Sequence, residues 1–134
     1  MKSNRAVGNE FEQELCDALF EHGFWSHNLK QNNSGQPADV IAVRNKVAYL
    51  IDCKDCSSKG FDLRRVEDNQ ITAMDLWEEC GNGYGWFALK VEGEVYMLSY
   101  PLVMAFRMGS KSSIPLAEIP TIAIPLGEWV KRCK

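Results

Sequence analysis

The chain has 134 residues, of which 46% are hydrophobic and 25% are charged, and its formal net charge at pH 7 is −3. This composition is typical of a soluble globular protein, and the length predicts a single domain over residues 1–134. No apolar run reaches the roughly 20 residues of a membrane-spanning helix, and the polar N-terminal sequence does not resemble a signal peptide. We therefore expect a cytoplasmic protein without membrane contact. The acidic balance gives no support for broad electrostatic binding of nucleic acid.

The first predicted element is an amphipathic helix over residues 7–22. Apolar residues recur there at three- and four-residue spacing: Val7, Phe11, Leu15, Ala18 and Leu19. Gly23 is a typical residue for ending a helix. A short strand or extended segment is expected around Trp25. It is followed by polar loop sequence that contains His27 and ends in the turn-forming run NNSGQP, residues 32–37.

Two strands are predicted next, over residues 38–44 and 46–54, joined by a tight turn at Asn45. The run CSSKGFD, residues 56–62, is expected to be a loop. A second helical pattern extends from residue 63 to residue 80 and ends at a glycine-rich segment.

A second strand pair is predicted at residues 86–91 and 94–100, again with a short turn between the strands. Residues 101–109 are expected to form a short helix. The proline-punctuated tail is expected to be extended or looped and to end in a short helix at residues 126–134. This order of helices and strands predicts an α/β domain in which a mixed β-sheet lies between helices.

The five cysteines stand at irregular spacing, and an odd number argues against a disulfide framework. Cys53 and Cys56 form a C-x-x-C pair, which is compatible with a zinc site or a redox pair. Further zinc ligands at matching spacing are missing, and a redox pair normally opens a helix. Here Cys53 falls in a predicted strand and Cys56 in the turn after it, so we expect both cysteines to be incidental.

Three charged residues interrupt the apolar strand pair: Asp39, Asp52 and Lys54. Asp52 and Lys54 are two residues apart in one strand, so their side chains point to the same face of the sheet. The turn at Asn45 folds Asp39 back towards Asp52, and the two carboxylates can lie close in a suitable register. Neighbouring carboxylates repel unless a divalent cation lies between them, and Mg²⁺ prefers such hard oxygen ligands. Such a cation lowers the pKa of a bound water molecule, and a nearby lysine can orient or deprotonate that water.

The same three residues also have an ordinary structural interpretation. The tripeptide D-x-K is common, and Asp52 and Lys54 could form a solvated face at the edge of a sheet, with Asp39 capping a loop after Pro37. We favour the metal-site interpretation because the three residues occur together, in order, on the two strands where the geometry requires them.

The run PAD, then 12 residues, then D-C-K resembles the PD-(D/E)xK nuclease signature. Asp39 corresponds to the first acid of the signature, and Asp52 and Lys54 correspond to its (D/E)xK part. The preceding segment GNEFEQELCDALFEHGF is similar to the G-x-x-x-E helix of Holliday junction resolvases, with Gly8 four residues before Glu12. The resemblance implies a restriction-endonuclease-like α/β core with a mixed sheet flanked by helices.

The resemblance also implies a set of five catalytic residues: Glu12, Asp39, Asp52, Lys54 and Gln70. The three acids would bind Mg²⁺, or Mn²⁺ in its place, and Lys54 would position or activate the attacking water. Gln70 lies in the second predicted helix and would orient the site. Glu10 replaces Glu12 if the register of the first helix differs by half a turn.

The function implied by the resemblance is a Mg²⁺-dependent endonuclease that hydrolyses DNA phosphodiester bonds, most like a Holliday junction resolvase. A homodimer is implied because a two-fold symmetric junction is cut by two equivalent sites. Two alternatives stay open. One is a restriction-like, repair or phage endonuclease acting on duplex or branched DNA, and the other is a non-catalytic DNA-binding module of the same fold.

Four basic residues are candidates for contacts with DNA phosphates: Arg5, Lys59, Arg64 and Arg65. The last three lie in or just after the loop beside the second strand, where phosphate contacts would be useful. A solubilising loop explains them equally well. The four tryptophans, Trp25, Trp77, Trp86 and Trp129, are expected in the core or at a dimer interface rather than as base-stacking platforms.

Overall fold

The structure is a computed structural model that describes residues 4–29, 38–56 and 59–133, with the side chains of residues 4–9 left out of the description. The turn predicted at residues 32–37 lies outside these residues, as does part of the loop predicted at residues 56–62. Among the helices that are described, none combines the length and the apolar character needed to cross a membrane.

The described residues form five α-helices, a short 3-10 helix and eight β-strands. The helices are α1 (Asn4–Glu21), α2 (Asp68–Glu79), α3 (Tyr100–Met108), α4 (Ile119–Ile122) and α5 (Leu126–Arg132), and the 3-10 helix is Leu63–Arg65. The strands are β1 (Trp25–Asn28), β2 (Val40–Arg44), β3 (Val47–Cys56), β4 (Phe61–Asp62), β5 (Trp86–Val91), β6 (Glu94–Ser99), β7 (Ser113–Ile114) and β8 (Ile124–Pro125).

Six of the strands form one mixed sheet in the order β1-β2-β3-β5-β6-β8, and β4 pairs with β7 separately. Strand β3 is antiparallel to β2 and parallel to β5, so it lies inside the sheet with a neighbour on each side. The predicted α/β fold with a mixed, helix-flanked sheet is confirmed. The interpretation of Asp52 and Lys54 as a solvated face at a sheet edge is wrong, because both residues lie in β3 and are buried.

The hairpin between β2 and β3 turns through two residues, Asn45 and Lys46, rather than through Asn45 alone. Both residues have positive φ angles, 53° and 69°, the pattern of the two-residue turn whose twist matches that of paired strands. The turn sets Val40 opposite Ile51. The ladder continues one step further, because the Asp39 N–H donates to the Ile51 carbonyl at 3.1 Å.

Two apolar clusters cover the two faces of the sheet. The first joins α1 and α5 to the sheet, and its largest buried members are Phe11, Leu15, Leu19, Phe24, Ile51, Met97 and Trp129. The second joins α2, α3 and the short elements of the tail to the opposite face, through Leu50, Phe61, Leu63, Met74, Phe87, Leu89, Leu98 and Val103. Ile51 and Leu50 belong to different clusters because successive side chains of a strand point to opposite faces.

Several local predictions are confirmed and others are wrong. The first helix ends where predicted, with Gly23 at a φ of 85°, and the second strand pair and the helix near residue 101 are confirmed. His27 lies in strand β1 rather than in a loop, and Cys56 is the last residue of β3 rather than part of a turn. The helix predicted from residue 63 to residue 80 is interrupted after the 3-10 helix, and α2 begins only at Asp68.

The tryptophans divide between core and surface. Trp129 is buried and Trp77 and Trp86 are half-buried, but 57% of Trp25 is exposed. Of the two positions predicted for the tryptophans, the hydrophobic core is wrong for Trp25, and a dimer interface stays a prediction.

Arg44, the last residue of β2, connects the ends of two helices. Its Nη1 donates to the carbonyl of His22 at 3.0 Å, and its Nη2 donates to the carbonyls of Val130 and Cys133 at 2.7 and 2.9 Å. The guanidinium also lies 4.4 Å from the centroid of the Phe24 ring. The last carbonyls of a helix lack partners within the helix and carry partial negative charge, so one cation here stabilises the ends of both α1 and α5.

We expect Arg44→Met to lower the free energy of unfolding by about 2–3 kcal/mol, because it removes three hydrogen bonds from a charged donor while keeping an apolar side chain. Urea unfolding followed by circular dichroism measures the change. Arg132→Met is the matched control, since Arg132 is exposed and its ion pair within the described part of the chain is a long contact of 3.9 Å with Glu128. Equal stability of the two variants would show that Arg44 does not hold the helix ends together.

Candidate active site

Asp52 and Lys54 form a buried ion pair on β3. The Nζ atom of Lys54 lies 3.0 Å from Oδ2 of Asp52, and both side chains are almost entirely removed from solvent. The contact confirms that the two side chains share one face of the strand, as the two-residue spacing predicts. A charge in such a position is costly unless it is paired, so each group depends on the other and on its further neighbours.

Asp39 lies one residue before β2 and meets Asp52 across the ladder. Its Oδ2 accepts a hydrogen bond from the backbone N–H of Cys53 at 2.7 Å. The side chain thereby continues the ladder after the last backbone hydrogen bond between the two strands. The Asp39 and Asp52 carboxyl groups lie within hydrogen-bonding contact of each other, so the two acids meet at the position that the strand pair predicted.

Glu12 reaches the same place from α1. Its carboxyl group is in hydrogen-bonding contact with Asp39, accepts a hydrogen bond from the side chain of Asn28 at the end of β1, and lies near the charge of Lys54. Glu12 is half-buried, whereas Glu10 is exposed. The helix register therefore brings Glu12, rather than Glu10, to the two aspartates.

Gln70 in the first turn of α2 supports Asp52 from the other side. Its Nε2 donates to Oδ1 of Asp52 at 3.3 Å, and its Oε1 accepts from the backbone N–H of Glu67 at 3.1 Å. The second hydrogen bond determines which end of the amide faces Asp52. Gln70 thus lies where the sequence predicts it, and the break before α2 allows Glu67 to make this contact.

The carboxyl groups of Glu12 and Asp52 bind protons more tightly than isolated carboxyl groups. Burial, with the neighbouring Asp39 charge as the second cause, raises the pKa of Glu12 to about 8. Burial and then the Asp39 charge also raise the pKa of Asp52 well above its ordinary value, although Lys54 opposes the shift. Carboxyl groups held this close need a proton or a cation between them at neutral pH.

The donor set fits a small, hard divalent cation. Carboxylate oxygens are the ligands that Mg²⁺ prefers, and Mg²⁺ is commonly held by one or two carboxylates with water in its other positions. Among the described residues, Oδ2 of Asp52 has no hydrogen-bond partner, and it contacts Nζ of Lys54 as an ion pair at 3.0 Å. In the part of the chain that the structure describes, no three His, Cys, Asp or Glu side chains lie together in an arrangement that could hold a metal ion. One or two carboxylates would therefore hold the cation, and water or DNA would supply the remaining ligands.

Asn28 is a member of the cluster that the sequence did not predict. It precedes a polar run, and nothing in its local pattern distinguishes it from the neighbouring loop residues. Only the pairing of β1 with β2, which sets Asn28 opposite Val40, shows that it lies beside Asp39.

The basic residues proposed as phosphate contacts have different surroundings. Arg64 forms an exposed ion pair with Asp62 at 2.9 Å, and Nη1 of Arg65 donates to the carbonyl of Asp55 at 2.9 Å. Lys59 is exposed, and the side chain of Arg5 lies outside the described residues. Arg65 is therefore hydrogen-bonded to the residue of β3 that follows Lys54. Contacts between these four basic residues and DNA stay predictions.

The C-x-x-C pair does not form a shared site. Cys53 and Cys56 both lie in β3 three residues apart, so their side chains point to opposite faces of the sheet. Both are free cysteines. This placement agrees with the expectation that the two residues are incidental.

Comparison with known proteins agrees with the geometry. The family model of the archaeal Holliday junction resolvase (Hjc) matches residues 3–133. No curated protein matches the sequence. Among solved structures, Archaeoglobus fulgidus Hjc, a Holliday junction resolvase from an archaeal hyperthermophile, is similar with a TM-score of 0.70 and 16% sequence identity, over 92% of this chain and 99% of that chain. At this identity the structural likeness shows the fold, and the family match extends over nearly the whole sequence. The chain therefore belongs to the archaeal Holliday junction resolvase family, which is a family of endodeoxyribonucleases.

Proposed function

We propose that the protein is a Mg²⁺-dependent endonuclease that resolves four-way DNA junctions in recombination. The observation that supports this most is the convergence of Glu12, Asp39 and Asp52 around Lys54 at one end of the sheet. A module that only binds DNA has no need of three carboxyl groups and a lysine in one place, and the burial of these groups costs stability.

Asp39 and Asp52 would hold the cation, and Glu12 would contribute directly or through a water molecule. When bound, Mg²⁺ supplies positive charge that polarises the phosphodiester and lowers the pKa of a water molecule. Gln70 donates to Oδ1 of Asp52, and Oδ2, which lies 3.0 Å from Nζ of Lys54, is the oxygen that would contact the cation.

Lys54 acts on the reacting groups themselves. Hydrolysis forms a bond between the water oxygen and phosphorus and breaks one phosphorus–oxygen ester bond. The proton that the attacking water loses passes to solvent, and the leaving sugar oxygen takes up a proton from solvent. The Lys54 ammonium group holds the attacking water and offsets the negative charge that develops on the phosphate oxygens. Its position beside Asp52 keeps it within reach of a phosphate bound at the carboxylates.

The rest of the substrate would be bound by symmetry and by phosphate contacts. We infer a homodimer, since resolution of a two-fold symmetric junction needs two cuts at equivalent positions. Arg5, Lys59, Arg64 and Arg65 are the proposed phosphate contacts, which would contribute affinity without reading sequence.

The direct test is cleavage of a synthetic four-way junction with immobile arms, compared with a linear duplex of the same arm sequence. We expect junction cleavage in Mg²⁺, no cleavage after chelation of the metal, and little cleavage of the duplex. Lys54→Ala should slow junction cleavage by about 100-fold or more, because a positioned charge at the reacting phosphate is lost. Equal cleavage of junction and duplex would instead identify a general DNA endonuclease.

Asp52→Asn should abolish cleavage and also lower the stability of the metal-free protein. The substitution keeps the shape of the side chain but removes the carboxylate that pairs with the buried ammonium group of Lys54. We expect the free energy of unfolding without metal to fall by on the order of 3 kcal/mol, because the Lys54 charge loses its partner. Urea unfolding with chelator and junction cleavage with Mg²⁺ measure the two effects. A variant that cuts at the full rate would remove Asp52 from the proposed site.

A further inference from the structure

The edge strand β1 presents two aromatic side chains to solvent. Trp25 is 57% exposed and His27 is also exposed, and their rings are stacked with centroids 6.0 Å apart and an interplanar angle of 17°. Tryptophan is enriched at surfaces that contact a partner, because its large ring is apolar and its N–H is polar.

The strand register places this pair on the same face of the sheet as the candidate active site. His27 pairs with Ile41, and Ile41 pairs with Leu50. Paired residues of neighbouring strands share a face, and residues two apart in one strand do so as well. Trp25 and His27 therefore lie on the face of β3 that carries Leu50, Asp52 and Lys54.

The other residues of β1 confirm this alternation. The Ser26 hydroxyl donates to the Cys16 carbonyl in α1 at 3.0 Å, and Asn28 contacts Glu12 in the same helix. Ser26 and Asn28 thus face α1, and Trp25 and His27 face the opposite way.

The aromatic pair is close to the site as well as on its face. His27 directly precedes Asn28, which hydrogen-bonds Glu12. With a strand rise near 3.3 Å per residue and a strand spacing near 4.8 Å, Trp25 stands roughly 16 Å from Asp52. One strand of B-form DNA advances by about 3.4 Å per nucleotide, so nucleotides within about five positions of a phosphate held at Asp52 can lie near Trp25.

We propose that Trp25, backed by His27, is a stacking site for a nucleobase at the branch point of the DNA substrate. The proposal rests on the proposed function, because the site must hold branched DNA. In a continuous duplex every base is stacked on both sides. When the arms at a branch point are not stacked on one another, the base pair at the branch loses one neighbour. The exposed indole then replaces that neighbour, a contact that linear duplex does not offer away from its ends.

Stacking on an aromatic side chain is tolerant of sequence, because every base has a π-face. The contact therefore contributes selectivity for the structure of the DNA and not for its sequence. Backbone contacts from basic residues contribute affinity and fix the orientation of the protein on the DNA.

The test compares Trp25→Ala, Trp25→Phe and the control Phe20→Ala. Phe20 is 55% exposed, nearly the same as Trp25, but belongs to α1 on the other side of the sheet. The probes are a four-way junction carrying 2-aminopurine at the branch point and a linear duplex of the same arm sequence. Binding is followed by the 2-aminopurine fluorescence with Ca²⁺ in place of Mg²⁺, and junction cleavage is followed with Mg²⁺.

We expect Trp25→Ala to raise the Kd for the junction about tenfold while changing the Kd for the duplex less than twofold. Trp25→Phe keeps a stacking ring and should remain within about threefold of the parent, and Phe20→Ala should match the parent. The fluorescence change at the branch point should be lost in Trp25→Ala alone.

Other outcomes overturn the inference. If Trp25→Ala binds the junction as tightly as the parent, or loses junction and duplex equally, Trp25 does not stack at the branch point. If sedimentation shows that Trp25→Ala dissociates a dimer, the aromatic pair is an interface between copies of the chain. If the parent protein itself cuts no junction, the proposed function fails, and this is distinct from a parent that cuts junctions without needing Trp25.

Discussion

The buried carboxylate of Asp52 is the constraint on which the candidate site depends. Strand β3 has a neighbour on each side, so Asp52 is shielded from water and only groups on its own face can compensate its charge. Lys54 at 3.0 Å and Gln70 at 3.3 Å provide part of that compensation. The approach of Asp39 acts against it. The fold thus holds the Asp39 and Asp52 carboxylates close together despite their repulsion, which a divalent cation would offset. Such an arrangement is typical of a functional site.

Side chains from both faces of the sheet meet where β2 begins. Glu12 and Asn28 belong to the face covered by α1, whereas Asp52 and Lys54 belong to the face covered by α2. In a continuous sheet the backbone would separate the two groups. Asp39 lies just before β2, where its carboxylate accepts a hydrogen bond from the Cys53 N–H in place of a strand carbonyl and contacts acids from both faces.

The sequence predicted the strands, turns and helix ends that depend on patterns within a few neighbouring residues. The β2–β3 strand pair, the second strand pair and the helix stop at Gly23 follow from alternation and turn chemistry within a few residues. One residue of the turn decides the geometry of the site. With both Asn45 and Lys46 in the turn, Asp39 is six residues before it and Asp52 six residues after it, so the two acids are directly opposite. With Asn45 alone in the turn, the register between β2 and β3 stays open, because Asp39 is then six residues before Asn45 and Asp52 seven residues after it.

The parts that the sequence did not predict depend on contacts between distant segments. The parallel pairing of β3 with β5 buries Asp52 and joins segments separated by α2. The helix break at Val66 is hidden by apolar residues at helical spacing, and it is stabilised by the Glu67–Gln70 contact. Trp25 reads as a core residue by composition, and only its place on an edge strand exposes it.

The precision of the site also depends on how α1 is held along its length. Near Glu12, Phe11 is buried against the sheet and Glu14 forms a 2.8 Å ion pair with Lys90 of β5. At the far end, the carbonyl of His22 accepts from Arg44 of β2. A helix fixed at both places cannot rotate or slide without breaking one of them, so Glu12 is kept in register with Asp39. Carboxyl groups carried by rigid, separately anchored elements remain close despite their repulsion, and this allows the cluster to exist before a cation or DNA is bound.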